Sequence, residues 1–338
     1  MRSLHAVPVL ARRLLASRRR ITAFSVAIAI LLLAAACGRD VTIVGVLEPD
    51  RGKAVEDART GFLEALSDAD FKAGENMRFV RRNAEFRDEP LEKLARDLVE
   101  DEEVDFLFAI GTPALKAAIG AATGQQVFFA LSADPTIGGD AQGFWRHPAI
   151  LTGAGVPSPT ADTVDLVRRL LPDATHLGVL YDSQDPDSVA GRDAARAAAE
   201  GRGFEVLAVA VSDAGQVEAA VQEAIGRGAH AIVLAPSKLL EDEFGVIRRT
   251  VEAAGVPVFA WSEPLTQRGA LGSWGIDYEE NGRNAGALAV RVLRGQDPSQ
   301  APISTDAPPR LWLSQRVAKR LGIALPDDLV ARASKVFR

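Results

Sequence analysis

Six short stretches carry the hydroxyls, carboxylates and aromatic rings best able to hold a ligand: Glu48-Pro49-Asp50, Gly111-Thr112-Pro113, Ser132-Ala133-Asp134-Pro135, Tyr181-Asp182-Ser183, Pro236-Ser237 and Trp261-Ser262. Gly111-Thr112-Pro113 is the most specific physically. Thr112 suits a helix cap, Pro113 suits the first turn, and Gly111 leaves room beside the backbone. Free amides and the helix dipole there favour a carboxylate or similar anion. An ordinary capped helix has the same composition. Asp134-Pro135 serves equally as a turn initiator. Trp261 and Tyr181 are rings that either wall a pocket or close a core. Asp182, Asp185 and Asp187 sit close enough together to hold a cation, although a solvated acidic turn is the commoner use of such a cluster.

Catalytic groups are scarce. Of the 4 histidines, His5 falls in a basic leader, while His176 and His230 stand at the heads of apolar runs. His147 has no nucleophile pattern such as G-x-S-x-G near it. No phosphate-binding glycine loop, dinucleotide fingerprint or H-E-x-x-H zinc motif occurs. No cofactor and no metal are expected. A hydrolase on a two-lobe frame stays open as a minor alternative.

The elements behind these stretches alternate. Val41 to Leu47, Met77 to Asn83, Val104 to Ile110, Val127 to Leu131 and Ile150 to Gly155 are short apolar or β-rich runs, separated by segments with helical spacing such as Val55, Ala58, Phe62, Ala65 and Leu66. Near-continuous runs such as VDFLFAI belong in parallel sheets buried on both faces. After Val156-Pro157-Ser158-Pro159 the series begins again, with strands at 177–181, 204–211, 231–234 and 256–260. Two such series predict an α/β protein of two Rossmann-like three-layer lobes with parallel sheets. Further strands near 270–276 and 310–313 suggest that the chain recrosses between lobes through hinge strands. The expected division is 1–36 as a leader, 37–156 with about 270–300 as the first lobe, and 157–269 with about 301–338 as the second.

Residues 1–36 carry Arg12, Arg13, Arg18, Arg19 and Arg20 before an uncharged stretch from Ile21 to Ala36, the layout of an export signal. The only cysteine, Cys37, has no partner for a disulfide and too few histidines for a zinc site. Ala34-Ala35-Ala36-Cys37 resembles the lipobox of bacterial lipoproteins, in which the cysteine is diacylated, with Ala34 where leucine is more usual. Removing the six leader arginines, Arg2 included, leaves 33 basic against 45 acidic residues, a net charge of −12. That balance argues against nucleic acid or an anionic membrane surface as partner.

The stretches GENMRFVRRNAE, VDFLFAIGTPALKAA, VFFALSADP, LLPDATHLGVLYD, GVPVFAWSE, GALGSWGIDYEENGRNAG and AKRLGIALPDDLVARA together resemble the lipid-anchored solute-binding proteins of ABC transporters. These have the type I periplasmic binding fold, and the group includes tryptophan and tyrosine binders. The resemblance covers about Val41 to Lys335. It implies reversible capture of a small organic ligand, such as an amino acid or derivative, between closing lobes, with no chemistry performed. Implied partners are the permease and ATPase subunits and a membrane holding the Cys37 lipid, the protein being monomeric. A module reporting to a membrane sensor is the alternative.

Carried over position by position, the resemblance places Thr112 with the amides from Pro113 on, Ser132 and Asp134 around the ligand from the first lobe. Tyr181, Asp182, Ser188, Ser237 and Trp261 contribute from the second, with Asp277 near a crossing strand. Several positions depart from the family. Its His-Pro-x-x-Asp is Glu48-Pro49-Asp50-Arg51 here, two asparagines are Asp182 and Asp187, and an Asp-Asn pair is Ser237-Lys238. A more acidic cleft favours a cationic or zwitterionic ligand.

Overall fold

The computed structural model describes residues 41–87, 89–132, 150–156 and 159–338. Expectations that fall on Cys37, Asp134, His147 and Pro157-Ser158 lie outside the described residues. The first lobe runs β1 (Thr42–Glu48), α1 (Lys53–Asp68), β2 (Met77–Asn83), α2 (Ala84–Arg87), α3 (Leu91–Glu100), β3 (Phe106–Ile110), α4 (Thr112–Ala121), β4 (Gln126–Ser132) and β5 (Leu151–Gly155). The second begins with α5 (Thr160–Leu170), β6 (His176–Asp182), α6 (Pro186–Glu200), β7 (Glu205–Val211), α7 (Val217–Gly226) and β8 (Ala231–Leu234). It continues through α8 (Lys238–Asp242), α9 (Phe244–Ala254), β9 (Val258–Ala260), α10 (Glu263–Arg268) and β10 (Gly272–Ile276). The chain then crosses back for α11 (Tyr278–Leu293) and returns for β11 (Pro309–Ser314), α12 (Gln315–Leu321), α13 (Asp327–Arg332) and β12 (Lys335–Phe337).

Among the described residues, β1 to β5 form a 5-stranded parallel sheet ordered β2-β1-β3-β4-β5, and a 7-stranded sheet is ordered β12-β11-β10-β9-β8-β6-β7. The first strand of each lobe lies between the second and third, the doubly wound order that opens a crevice at the strand C-terminal ends. Alternating side chains are buried on both faces of the first sheet. Leu47, Leu107 and Phe129 pack on one side, while Val46, Phe108 and Phe128 pack on the other. This explains why its strands read as continuous apolar runs.

The strand expected with the first lobe near residue 270 lies in the second. β10 pairs in parallel with β9, Gly272 opposite Phe259, and antiparallel with β11, Gly272 opposite Leu313. Its glycines permit this close insertion, since a Cβ on Gly275 would stand 2.1 Å from the Trp261 carbonyl oxygen. The crossing therefore falls at Asp277, and α11 returns to the first lobe, followed by residues 301–304, which run beside β5 and bury Ile303 in that lobe's core before the chain crosses again. There α11 packs against α1 so tightly that a Cβ on Gly282 would lie 1.9 Å from the Ala58 carbonyl oxygen. Ala285, Ala289 and Val290 of α11 complete the core around Val44, Phe62 and Phe108. Asn281, 1% exposed, accepts from the Leu131 amide at 3.0 Å and donates to the Gly155 carbonyl at 3.1 Å. It thereby ties the ends of β4 and β5, where β4 bulges and Leu131 takes a φ of 57°. No helix of the described residues is long and apolar enough to cross a membrane.

Candidate ligand-binding cleft

The C-terminal ends of both sheets face one another, and side chains meet between them. Thr112 Oγ1 donates to Asp187 Oδ1 at 2.8 Å, a bond from the first lobe to the second. A hydroxyl has one proton, so Ser132 Oγ, 3.0 Å from Thr112 Oγ1, is the donor in that pair. Thr112 is not the cap of α4, contrary to expectation. Gly111, with a φ of 83°, takes the cap position and makes Thr112 the first helical residue, which turns its hydroxyl away from the helix amides. Pro113 follows in the first turn and is exposed.

The three clustered aspartates have three separate tasks. Asp185 caps α6, accepting from the Asp187 and Ser188 amides. Burial pushes its carboxyl up from the ordinary aspartate value, against those two amide bonds. Asp182 accepts from the Gln184 amide at 2.9 Å and from Ser237 Oγ at 3.2 Å, while its own amide donates to Ser188 Oγ at 2.9 Å. Asp182, Ser188 and Ser237 are thus a buried network that fixes the loop presenting Asp187. Among the described residues, no group of three His, Cys, Asp or Glu side chains could hold a metal ion.

A narrow cavity of about 180 Å3 lies beside the Thr112–Asp187 bond. Ala54 and Leu131 of the first lobe, Pro236, Trp261 and Ile276 of the second, and Tyr278 at the crossing wall it, with Asp187 at its edge. Burial pushes the Tyr278 phenol well above its ordinary value, with Glu241 and Asp57 adding to the effect. A wider cavity of about 680 Å3 lies on the far side of Trp261 and is lined in part by Asp277, which caps α11 and pairs with Arg310 at 3.2 Å. Tyr181 lines neither cavity; its ring lies 4.7 Å from the Arg192 guanidinium on α6.

Two groups of residues escaped sequence reasoning: the walls of the narrow cavity and the partners of Glu48. The narrow cavity's aliphatic walls carry no chemical signal, although Tyr278 follows Asp277 directly at the crossing. At the end of β1, Glu48 is fully buried and held by Arg59 at 2.7 Å, Arg81 at 2.8 Å and Asn83 at 3.2 Å. Asp50 nearby has its carboxyl pushed up by burial, opposed by the Gly52 amide and by Lys238 across the cleft.

A family model described as ABC transporter substrate binding protein matches residues 43–337. The chain belongs to that family. Its members are substrate-binding proteins, a class defined by capture rather than turnover. The chain is 26% identical over 262 residues to a tyrosine-binding protein of Clostridioides difficile strain R20291, covering 78% of this chain and 75% of that one. The fold matches an ABC domain in complex with L-Trp from Streptococcus pneumoniae at a TM-score of 0.80 and 22% identity, covering 88% and 99% of the two chains. It also matches a ligand-free, open substrate-binding protein from Clostridium difficile at a TM-score of 0.71 and 24% identity, over 88% and 99%. The substrate-binding protein thus has the two-lobe periplasmic fold that its sequence motifs led one to expect.

Proposed function

We propose that this protein is the extracytoplasmic receptor of an ABC importer, tethered through a diacylated Cys37, and that it holds a compact amino acid or derivative between its lobes. The narrow cavity between the lobes is the observation that carries this. Both lobes wall it, so a bound molecule touches both and favours their closure. Its volume of about 180 Å3 is below the roughly 300–1,000 Å3 usual for ligand pockets, which selects a compact side group against Trp261, Leu131 and Ile276. Asp187, at the edge, offers a carboxylate to an ammonium group, while Thr112, backed by Ser132, holds that carboxylate in place. The tyrosine-binding relative supports an amino-acid ligand; aspartate at 182 and 187 sets a more acidic cleft than the family's asparagines.

Tethering keeps the receptor at high local concentration beside its permease. Native mass spectrometry of protein purified without refolding tests the ligand class. A retained small amine-bearing molecule is expected. An empty cleft, followed by no thermal stabilisation across a panel of amino acids, amines and small carboxylates, overturns it, since saturation at a hundred times Kd adds about 2.7 kcal/mol. Stimulation of a reconstituted permease's ATPase by the loaded protein separates an importer from a sensor module.

A further inference from the structure

The wide cavity beyond Trp261 has a charge pattern of its own. Its lining cations are each matched to an acid: Lys53 to Asp57 at 2.8 Å, Arg310 to Asp277 at 3.2 Å and Lys335 to Glu263 at 2.7 Å. Glu241 is the acid left over. Lys238, one turn before it, pairs with Asp242, and Arg268 donates to the Glu241 backbone carbonyl at 3.1 Å rather than to its carboxylate. Burial accordingly pushes the Glu241 carboxyl up, with Lys238 and Arg268 opposing at longer range.

A second, independent feature lies on the same wall. Ser262 is 4% exposed, and its Oγ has no hydrogen-bond partner. A buried hydroxyl without a partner is costly to keep, and one on a cavity wall is satisfied by whatever fills the cavity. The rings of Trp261, Trp312 and Tyr278 supply the remaining broad surfaces. Aromatic faces carry negative potential and attract cations, ammonium ions in particular. One free carboxylate with aromatic walls suits an organic cation better than a divalent metal, which prefers several hard oxygen ligands.

We propose that the wide cavity is a second binding site, for a small alkylammonium ion, with Glu241 as counter-ion, Trp261, Trp312 and Tyr278 as aromatic walls, and Ser262 bonding to an N–H or hydroxyl of the ligand. Trp261, Tyr278, Ala54 and Ile276 wall both cavities, so the occupant touches the outer face of the wall that encloses the narrow one.

Titration calorimetry with choline and with its uncharged isostere 3,3-dimethylbutan-1-ol tests the proposal on the purified protein. Choline is expected to bind one to one and at least about tenfold more tightly than the alcohol. Glu241→Gln should weaken choline by about tenfold or more, leave the alcohol unchanged and keep the melting temperature. Equal affinities for the two compounds overturn the proposal, as does a folded Glu241→Gln protein that binds choline normally. Should that variant not fold, Ser262→Ala takes its place: it removes the hydroxyl that bonds to the ligand without removing a charge, and choline binding left unchanged by it overturns the proposal.

Discussion

Glu48 and Asp182 hold the same place in the two lobes, each near the C-terminal end of the strand at its lobe's switch point, β1 and β6. Their surroundings differ in kind. Glu48 is enclosed by two guanidiniums and an asparagine amide, so its charge is neutralised where it stands. Asp182 is held by neutral donors only, a serine hydroxyl and a backbone amide. A carboxylate enclosed by cations cross-links its lobe and contributes little field to the cleft. One held by neutral dipoles keeps its net charge, which acts through the low-dielectric surroundings on whatever enters. One topology therefore carries a structural acid in one lobe and an electrostatic one in the other.

Glu48→Ala attacks that contrast most strongly. It leaves the largely buried Arg59 without its closest acceptor and should cost about 3 kcal/mol in chemical denaturation. A loss below about 1 kcal/mol would mean that the cross-link contributes no more than a surface pair. Thr112→Val comes next. Removing the donor to Asp187 should weaken the closed arrangement by about 1 kcal/mol, read as a roughly fivefold loss of ligand affinity by calorimetry. Asp182→Asn keeps the shape and the acceptor to Gln184 while deleting the charge. Its stability should change by less than about 1 kcal/mol, while affinity for an amine-bearing ligand drops; a stability loss like that of Glu48→Ala would erase the distinction.

The smallest effect is in pH dependence. Burial raises the folded-state pKa of Asp185 above its unfolded value, so the folded protein holds that proton more firmly. Stability from this group is greatest at low pH and falls as pH rises through the range just above ordinary aspartate values. Asp185→Asn preserves the cap and should flatten that part of the stability profile, as measured by melting temperature against pH.

Most of the fold was legible, because apolar periodicity is local: VDFLFAI reads as a doubly buried strand wherever it sits. The lobe assignment of Gly272–Ile276 was not, since nothing within a strand states which sheet will pair with it. The candidate site was legible in part. Thr112 and Ser132 do meet, at 3.0 Å, because both follow from strand-end logic. Thr112 as a helix cap was misread, since the choice between Gly111 and Thr112 depends on a backbone angle. Arg59, Arg81 and Asn83 around Glu48 were invisible because their convergence depends on tertiary register across separate elements. Asp182, Ser188 and Ser237 were found as residues, but their bonding to one another emerges only in three dimensions.

The return of α11 to the first lobe also governs the order of events during synthesis and export. Val44, Phe62 and Phe108 are covered by Ala285, Ala289 and Val290, residues made more than two hundred positions after the first of them. A chain emerging from its N-terminus cannot complete the core on the first lobe's α1 face until β6 to β10 of the second lobe have passed. Folding is thereby dominated by a late, long-range contact, which slows it and leaves an apolar sheet face open in the interim. The first lobe therefore cannot lock before α11 arrives.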